Sequence, residues 1–150
     1  MKKIGLMFLV MGLFASLAAI PSLVSATTID LPETAPNSGY VALDDNDNVT
    51  ATSSPVLTEL VTKQGTSKRK PRAAVNMANS RWVYYTDHNN YFNGYKWAHS
   101  NYYHRTEYHS STAAVDGKDT TTRYADARKW SQATAAGKGE PQFWYWAPYN

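Results

Sequence analysis

Four histidines, His88, His99, His104 and His109, with the acids, arginine and tyrosines beside them, are the residues of this chain whose types could carry chemistry. Metal binding is the first chemistry to weigh. In a strand successive side chains alternate faces, so His99 and His104, or His104 and His109, point to opposite sides of a continuous strand and cannot ligate one ion together. No carboxylate-backed His-x-x-x-His spacing is present, and a chain without cysteine has no thiolate ligands. No metal and no cofactor are therefore expected. Catalysis is the second. Asp87 lies beside His88, yet no Gly-x-Ser-x-Gly elbow or paired-carboxylate constellation accompanies it, and cysteine nucleophiles are excluded. The chain reads as a non-enzyme with no catalytic residues.

Recognition remains. The segment from Ser100 to Ser111 concentrates Tyr102, Tyr103, Tyr108, His104 and His109 around Arg105 and Glu107. Tyrosine and histidine pair an apolar body with a polar tip, which suits both half-buried strands and binding surfaces. If the segment is one strand, Tyr102, His104 and Tyr108 share one face, and Tyr103, Arg105, Glu107 and His109 share the other. One face then enters the core and the other meets a target. Tyr102, Tyr103, His104, Arg105 and His109 are the candidate target-binding residues. Nucleic acid is not the expected partner, because residues 73 to 150 carry eight Lys or Arg against six acids, far from a basic stripe.

The elements that must position these residues read as strands. Arg81 to Thr86 is rich in β-formers, Asn93-Gly94 and Asp116-Gly117 are turn signals, and Thr120 to Tyr124 is β-branched. Tyr95 to Val115 is too long for one strand and divides near Arg105. A loop from Gly137 to Pro141 leads to a last strand, Gln142 to Trp146. Tyr124 to Ala136 fits either a strand or an amphipathic helix with Trp130 on the core. Short strands at these spacings predict an all-β fold, a small antiparallel β-sandwich or barrel at the carboxyl end. All five Trp, ten of the eleven Tyr and all four His fall between Arg81 and Asn150, so this is the expected domain.

The chain before it has another character. Lys2 and Lys3 precede an apolar run from Ile4 to Ile20, broken by Pro21 before Val24-Ser25-Ala26, the pattern of a secretory signal peptide over residues 1–26. Thr27 to Ser67 holds six acids against one base among many Thr, Ser, Pro and Asn. Residues 27–80 accordingly read as a disordered acidic linker or propeptide ending in the basic cluster Lys68 to Arg72. Export to the extracellular space follows from the first segment. The cluster reads first as solvated charge, and a protease-sensitive boundary is the sharper reading.

Trp82-Val83-Tyr84, Ser100-Asn101-Tyr102-Tyr103-His104, and His109-Ser110-Ser111 after a four-residue gap carry a resemblance, together with the stretch around Ala127 to Ala133 and the aromatic carboxyl end. They resemble the lactococcin 972-like bacteriocin family over roughly the last seventy residues. Relative to that pattern the segment Thr86 to Lys96 looks inserted. The resemblance implies an unmodified secreted antibacterial protein with a two-sheet β-sandwich. It further implies action on the cell envelope of related Gram-positive bacteria through interference with wall synthesis. The implied partner is a wall precursor or wall polymer, and a separate immunity protein would protect the producer. Self-association as a homodimer stays open. The competing reading is a secreted wall-binding or adhesion module without toxicity, and a growth-inhibition assay separates the two.

Overall fold

The computed structural model describes residues 27–30, 36–58 and 72–148. Their strands, in chain order, are β1 (Thr27–Asp30), β2 (Ser38–Leu43), β3 (Val49–Thr52), β4 (Ala73–Met77), β5 (Ser80–Asn90), β6 (Tyr95–His104), β7 (His109–Val115), β8 (Lys118–Ala125), β9 (Trp130–Lys138) and β10 (Pro141–Trp146). They form two five-stranded sheets, ordered β1-β4-β5-β6-β9 and β3-β2-β10-β7-β8. Neighbours pair antiparallel except β1 with β4, which run parallel. The antiparallel two-sheet sandwich expected from the sequence is thus the fold observed.

Alternation along the strands builds the interior. In β6 every second residue from Lys96 to His104 is buried, and in β9 Ser131, Ala133 and Ala135 are buried while Trp130, Gln132 and Thr134 are exposed. The helix considered for Tyr124 to Ala136 does not form. Small residues on alternate positions fit a pleat that must approach the facing sheet closely, and Trp130 turns outward. Trp82, Tyr84, Tyr102, Phe143 and Tyr145 fill the space between the sheets, with ring centroids 4.6 to 5.2 Å apart along the chain of contacts. The turns at Asn93-Gly94 and Asp116-Gly117 close hairpins as predicted, with Gly94, Asp116 and Gly117 at positive φ.

Part of the stretch read as disordered linker belongs to the sandwich, which corrects the expected domain start. β2 lies beside β10 in register from Gln142↔Ala42 to Trp146↔Ser38, and β3 lies beside β2. Val41, Leu43 and Leu57 are buried in the common core. Averaged composition hides this because the apolar run Tyr40 to Leu43 is short. The acids that follow it serve a turn: Asp44 Oδ1 accepts hydrogen bonds from the amides of Asn46 and Asn48, each at 2.8 Å. From β6, the buried ammonium of Lys96 pairs with Asp45 of the same turn. The expected signal peptide, residues 31–35 and 59–71 of the linker, and with them all of the basic cluster but Arg72, lie outside the described residues. Arg72 places its guanidinium 4.5 Å from the centroid of the Tyr85 ring.

Candidate functional site

The five candidate residues divide between the inside and the outside of the sandwich. Tyr102, His104 and His109 are buried, at 1%, 6% and 0% exposure. His109 does not share the face of Tyr103, as a continuous strand would require. The chain leaves the first sheet after His104, turns through residues 105–108 and enters the second sheet at His109, so both histidines project inward. Their rings lie 6.2 Å apart, with the Tyr102 ring 5.2 Å from His109.

These buried polar groups bind the crossover. His104 Nδ1 accepts from the amides of Thr106 and Glu107, at 3.3 and 3.0 Å. Both bonds need an unprotonated Nδ1. Burial, and then the field of His109, hold the His104 pKa below its ordinary value, with Glu107 opposing them. His109 sets its ring nitrogens 2.8 Å from the Glu107 carbonyl and 3.0 Å from the Tyr102 carbonyl. The motif serines act alike. Ser100 Oγ accepts from Trp82 Nε1 and donates to the Trp144 carbonyl, both at 2.9 Å, joining the sheets. Ser111 donates to the Ser131 carbonyl, and Ser131 to the Tyr102 carbonyl, each at 3.0 Å. The motif Ser-Asn-Tyr-Tyr-His with His-Ser-Ser therefore satisfies buried backbone and fixes how the sheets meet.

Tyr103 and Arg105 face outward. Register places Tyr103 between Arg81 of β5 and Trp130 of β9. The Tyr103 and Trp130 rings lie 5.5 Å apart. With Arg105, Arg81, Asn79 and Met77 they line an open corner of about 420 Å³. The Arg105 amide donates to the Asn79 carbonyl at 2.8 Å, which fixes the corner's floor. Two guanidiniums beside two aromatic rings suit a ligand carrying both an anionic group and an apolar or sugar face. Trp130 and Arg81 were not among the sequence candidates, since only cross-strand register brings them to Tyr103.

Farther along the same outer face, Asp87 Oδ1 meets His88 Nδ1 at 2.7 Å and His99 Nε2 at 2.9 Å, and His99 Nδ1 lies 3.0 Å from Thr134 Oγ1. Burial raises the Asp87 carboxyl, but the bonds from the two imidazoles outweigh it and leave its pKa lowered. Tyr85 stacks on His99 at 4.5 Å, and Trp97 lies 4.7 Å from His88. Among the described residues, no group of three or more His, Cys, Asp or Glu is arranged to hold a metal ion.

On the opposite sheet a second surface went unread in the sequence. Tyr40 and Trp144, at 4.9 Å between centroids, form with Thr112, Thr120, Gln142 and Trp146 a groove of about 640 Å³ whose lining carries no charge. Ser38, Gly39 and Tyr40 of its lining come from β2, in the stretch taken for linker. The turn chemistry after Leu43 was the available signal.

The chain is thus an all-β sandwich tied internally by motif serines and histidines, with aromatic surfaces on both outer faces. Residues 80–146 match the family model described as Bacteriocin (Lactococcin_972). The quoted motif lies inside that span, so the resemblance read from the sequence is shown. No curated protein and no solved structure matches the chain. Among the described residues, no helix is long and apolar enough to cross a membrane.

Proposed function

We propose that this protein is a secreted bacteriocin that acts on the cell envelope of related Gram-positive bacteria by interfering with wall synthesis. The observation that carries the reading is the match of residues 80–146 to a bacteriocin family, with an aromatic and cationic corner on the strands inside that span. Wall precursors joined to lipid through phosphate combine anionic and sugar groups. The corner of Arg81, Tyr103, Arg105 and Trp130 offers guanidiniums to the first and ring faces to the second. Export through the amino-terminal signal pattern delivers the chain to that side of the membrane. The test adds the full secreted chain to growing Gram-positive cells and follows growth with incorporation of labelled wall precursor. Inhibition accompanied by arrested incorporation supports the reading, and unaffected growth across a panel of related strains overturns it.

The uncharged groove on the second sheet favours one other reading, a wall-binding module without toxicity. Aromatic rings bordered by hydroxyl and amide groups suit neutral sugar chains. Sedimentation with purified wall material but no inhibition of growth would select it.

A further inference from the structure

We propose that the tip of the β5–β6 hairpin, Tyr91 with Phe92, is a lipid anchor that inserts shallowly into the interfacial layer of a bilayer. Tyr91 is 87% exposed and Phe92 104% exposed, while the other exposed large hydrophobic residues described lie between 37% and 61%. Two adjacent aromatic rings held fully in water are costly unless something covers them.

The tip is built to present them. Phe92 N–H donates to Asn90 Oδ1 at 3.0 Å and Gly94 N–H to the Asn90 carbonyl at 2.8 Å. Asn93 N–H reaches the same carbonyl at 3.3 Å, and Tyr95 N–H donates to Asn93 Oδ1 at 2.9 Å. These bonds keep the rings off the sheet. They also satisfy four backbone donors inside the turn, which is what a segment entering an apolar layer requires.

Chemistry then selects lipid. From Asn89 to Tyr95 no residue carries charge. The aromatic rings sit above a collar of Asn89, Asn90 and Asn93, with Tyr95 and Trp97, each 39% exposed, behind it on the hairpin. Apolar rings beyond a belt of amides match the boundary between acyl chains and head groups, where amphipathic aromatics concentrate. The nearest carboxylate on the adjoining turn, Asp45, is engaged by Lys96, so the base of the tip opposes a lipid surface weakly. The tip projects Phe92 wholly into solvent, unlike a concave surface shaped to receive a folded partner. Its partner would be the bilayer itself, with attachment driven by apolar contact rather than by anionic head groups.

The test is sedimentation of the full secreted chain with phosphatidylcholine vesicles and with vesicles containing phosphatidylglycerol, both free of wall precursor. Failure of this proposal is thereby separate from failure of the bacteriocin reading. Comparable binding to both vesicle types, insensitive to salt, is expected. Phe92→Ser together with Tyr91→Ser should weaken it about tenfold or more while leaving the thermal midpoint unchanged. Phe92→Trp should keep binding and add a fluorescence component that shifts to the blue with vesicles. The proposal is overturned if the parent chain binds neither vesicle, if binding needs anionic lipid and vanishes in salt, or if the double variant binds as the parent does. It is equally overturned if the double variant loses growth inhibition while the parent ignores lipid, because the tip then meets a protein or wall component.

Discussion

Gly39 and Tyr145 face one another across the β2–β10 pair, and the tyrosine ring occupies the space that a side chain at position 39 would need. A Cβ there would meet Tyr145 Cζ at 2.7 Å and Oη at 2.9 Å, closer than real Cβ atoms come. Glycine lets the ring cross its neighbour and lets the hydroxyl donate to the Pro36 carbonyl at 3.0 Å. Gly39→Ala must therefore push a buried ring out of place, at a cost of about 1–3 kcal/mol. Denaturant unfolding should show a lower midpoint at unchanged slope. An unchanged midpoint would mean that the ring has room to move.

Deleting Thr27 to Ser67 should unfold the domain, the reverse of what a disordered linker predicts. The deletion strips Val41, Leu43 and Leu57 from the core and leaves one edge of β10 unpaired. Each buried aliphatic contributes about 1.5–3 kcal/mol, and a domain this size holds only about 5–15 kcal/mol in total. Loss of near-ultraviolet circular dichroism in the deleted chain is the expected result. A cooperative transition within a few degrees of the parent would show that β2 adds nothing.

Stability should fall on mild acidification through His104. Its folded pKa lies below the ordinary value of 6.5, so the unfolded chain binds the proton more readily. The contribution is complete above 6.5 and declines as pH falls from there towards the folded value. Between about pH 7.5 and 5 the thermal midpoint should drop in the parent and drop less in His104→Gln, whose amide oxygen can still accept from the loop. Parallel curves for the two proteins would remove His104 as the cause.

Local signals made the carboxyl-terminal half of the fold legible. Asn93-Gly94 and Asp116-Gly117 mark real turns, the division near Arg105 separates β6 from β7, and Gln142 to Trp146 falls within β10. Each rests on residues close in sequence. What escaped depends on distant ones. β2 is a strand because β10 offers it an edge, and Trp130 joins Tyr103 because β9 pairs with β6. His109 turned inward because the chain changes sheets after His104, and alternation counted along a sequence cannot register such a crossing. The motif that carried the family resemblance was legible as a motif, but Ser100, Ser111 and His109 proved to bond one sheet to the other and His104 to bond the crossover loop.

That division makes the roles of the five candidates separable. Tyr102 and His109 lie wholly inside, and alanine at Tyr102 should cost about 3–5 kcal/mol, as for other buried aromatics. His109→Ala leaves the Tyr102 and Glu107 carbonyls without their ring partner and should lower the midpoint as well. Tyr103 and Arg105 belong to the outer corner, where substitution should change stability by roughly 0.5 kcal/mol or less. If the corner meets the target, Tyr103→Ala and Arg105→Ala should each reduce growth inhibition about tenfold or more while remaining folded. Trp130→Ala, which was chosen by register alone, should behave as Tyr103→Ala does. The measurement pairs the unfolding midpoint with the inhibitory concentration for every variant. Activity lost only in proportion to stability across the whole set would leave the segment a core element and remove the corner as the site, whereas loss confined to the outer residues locates the surface that meets the envelope.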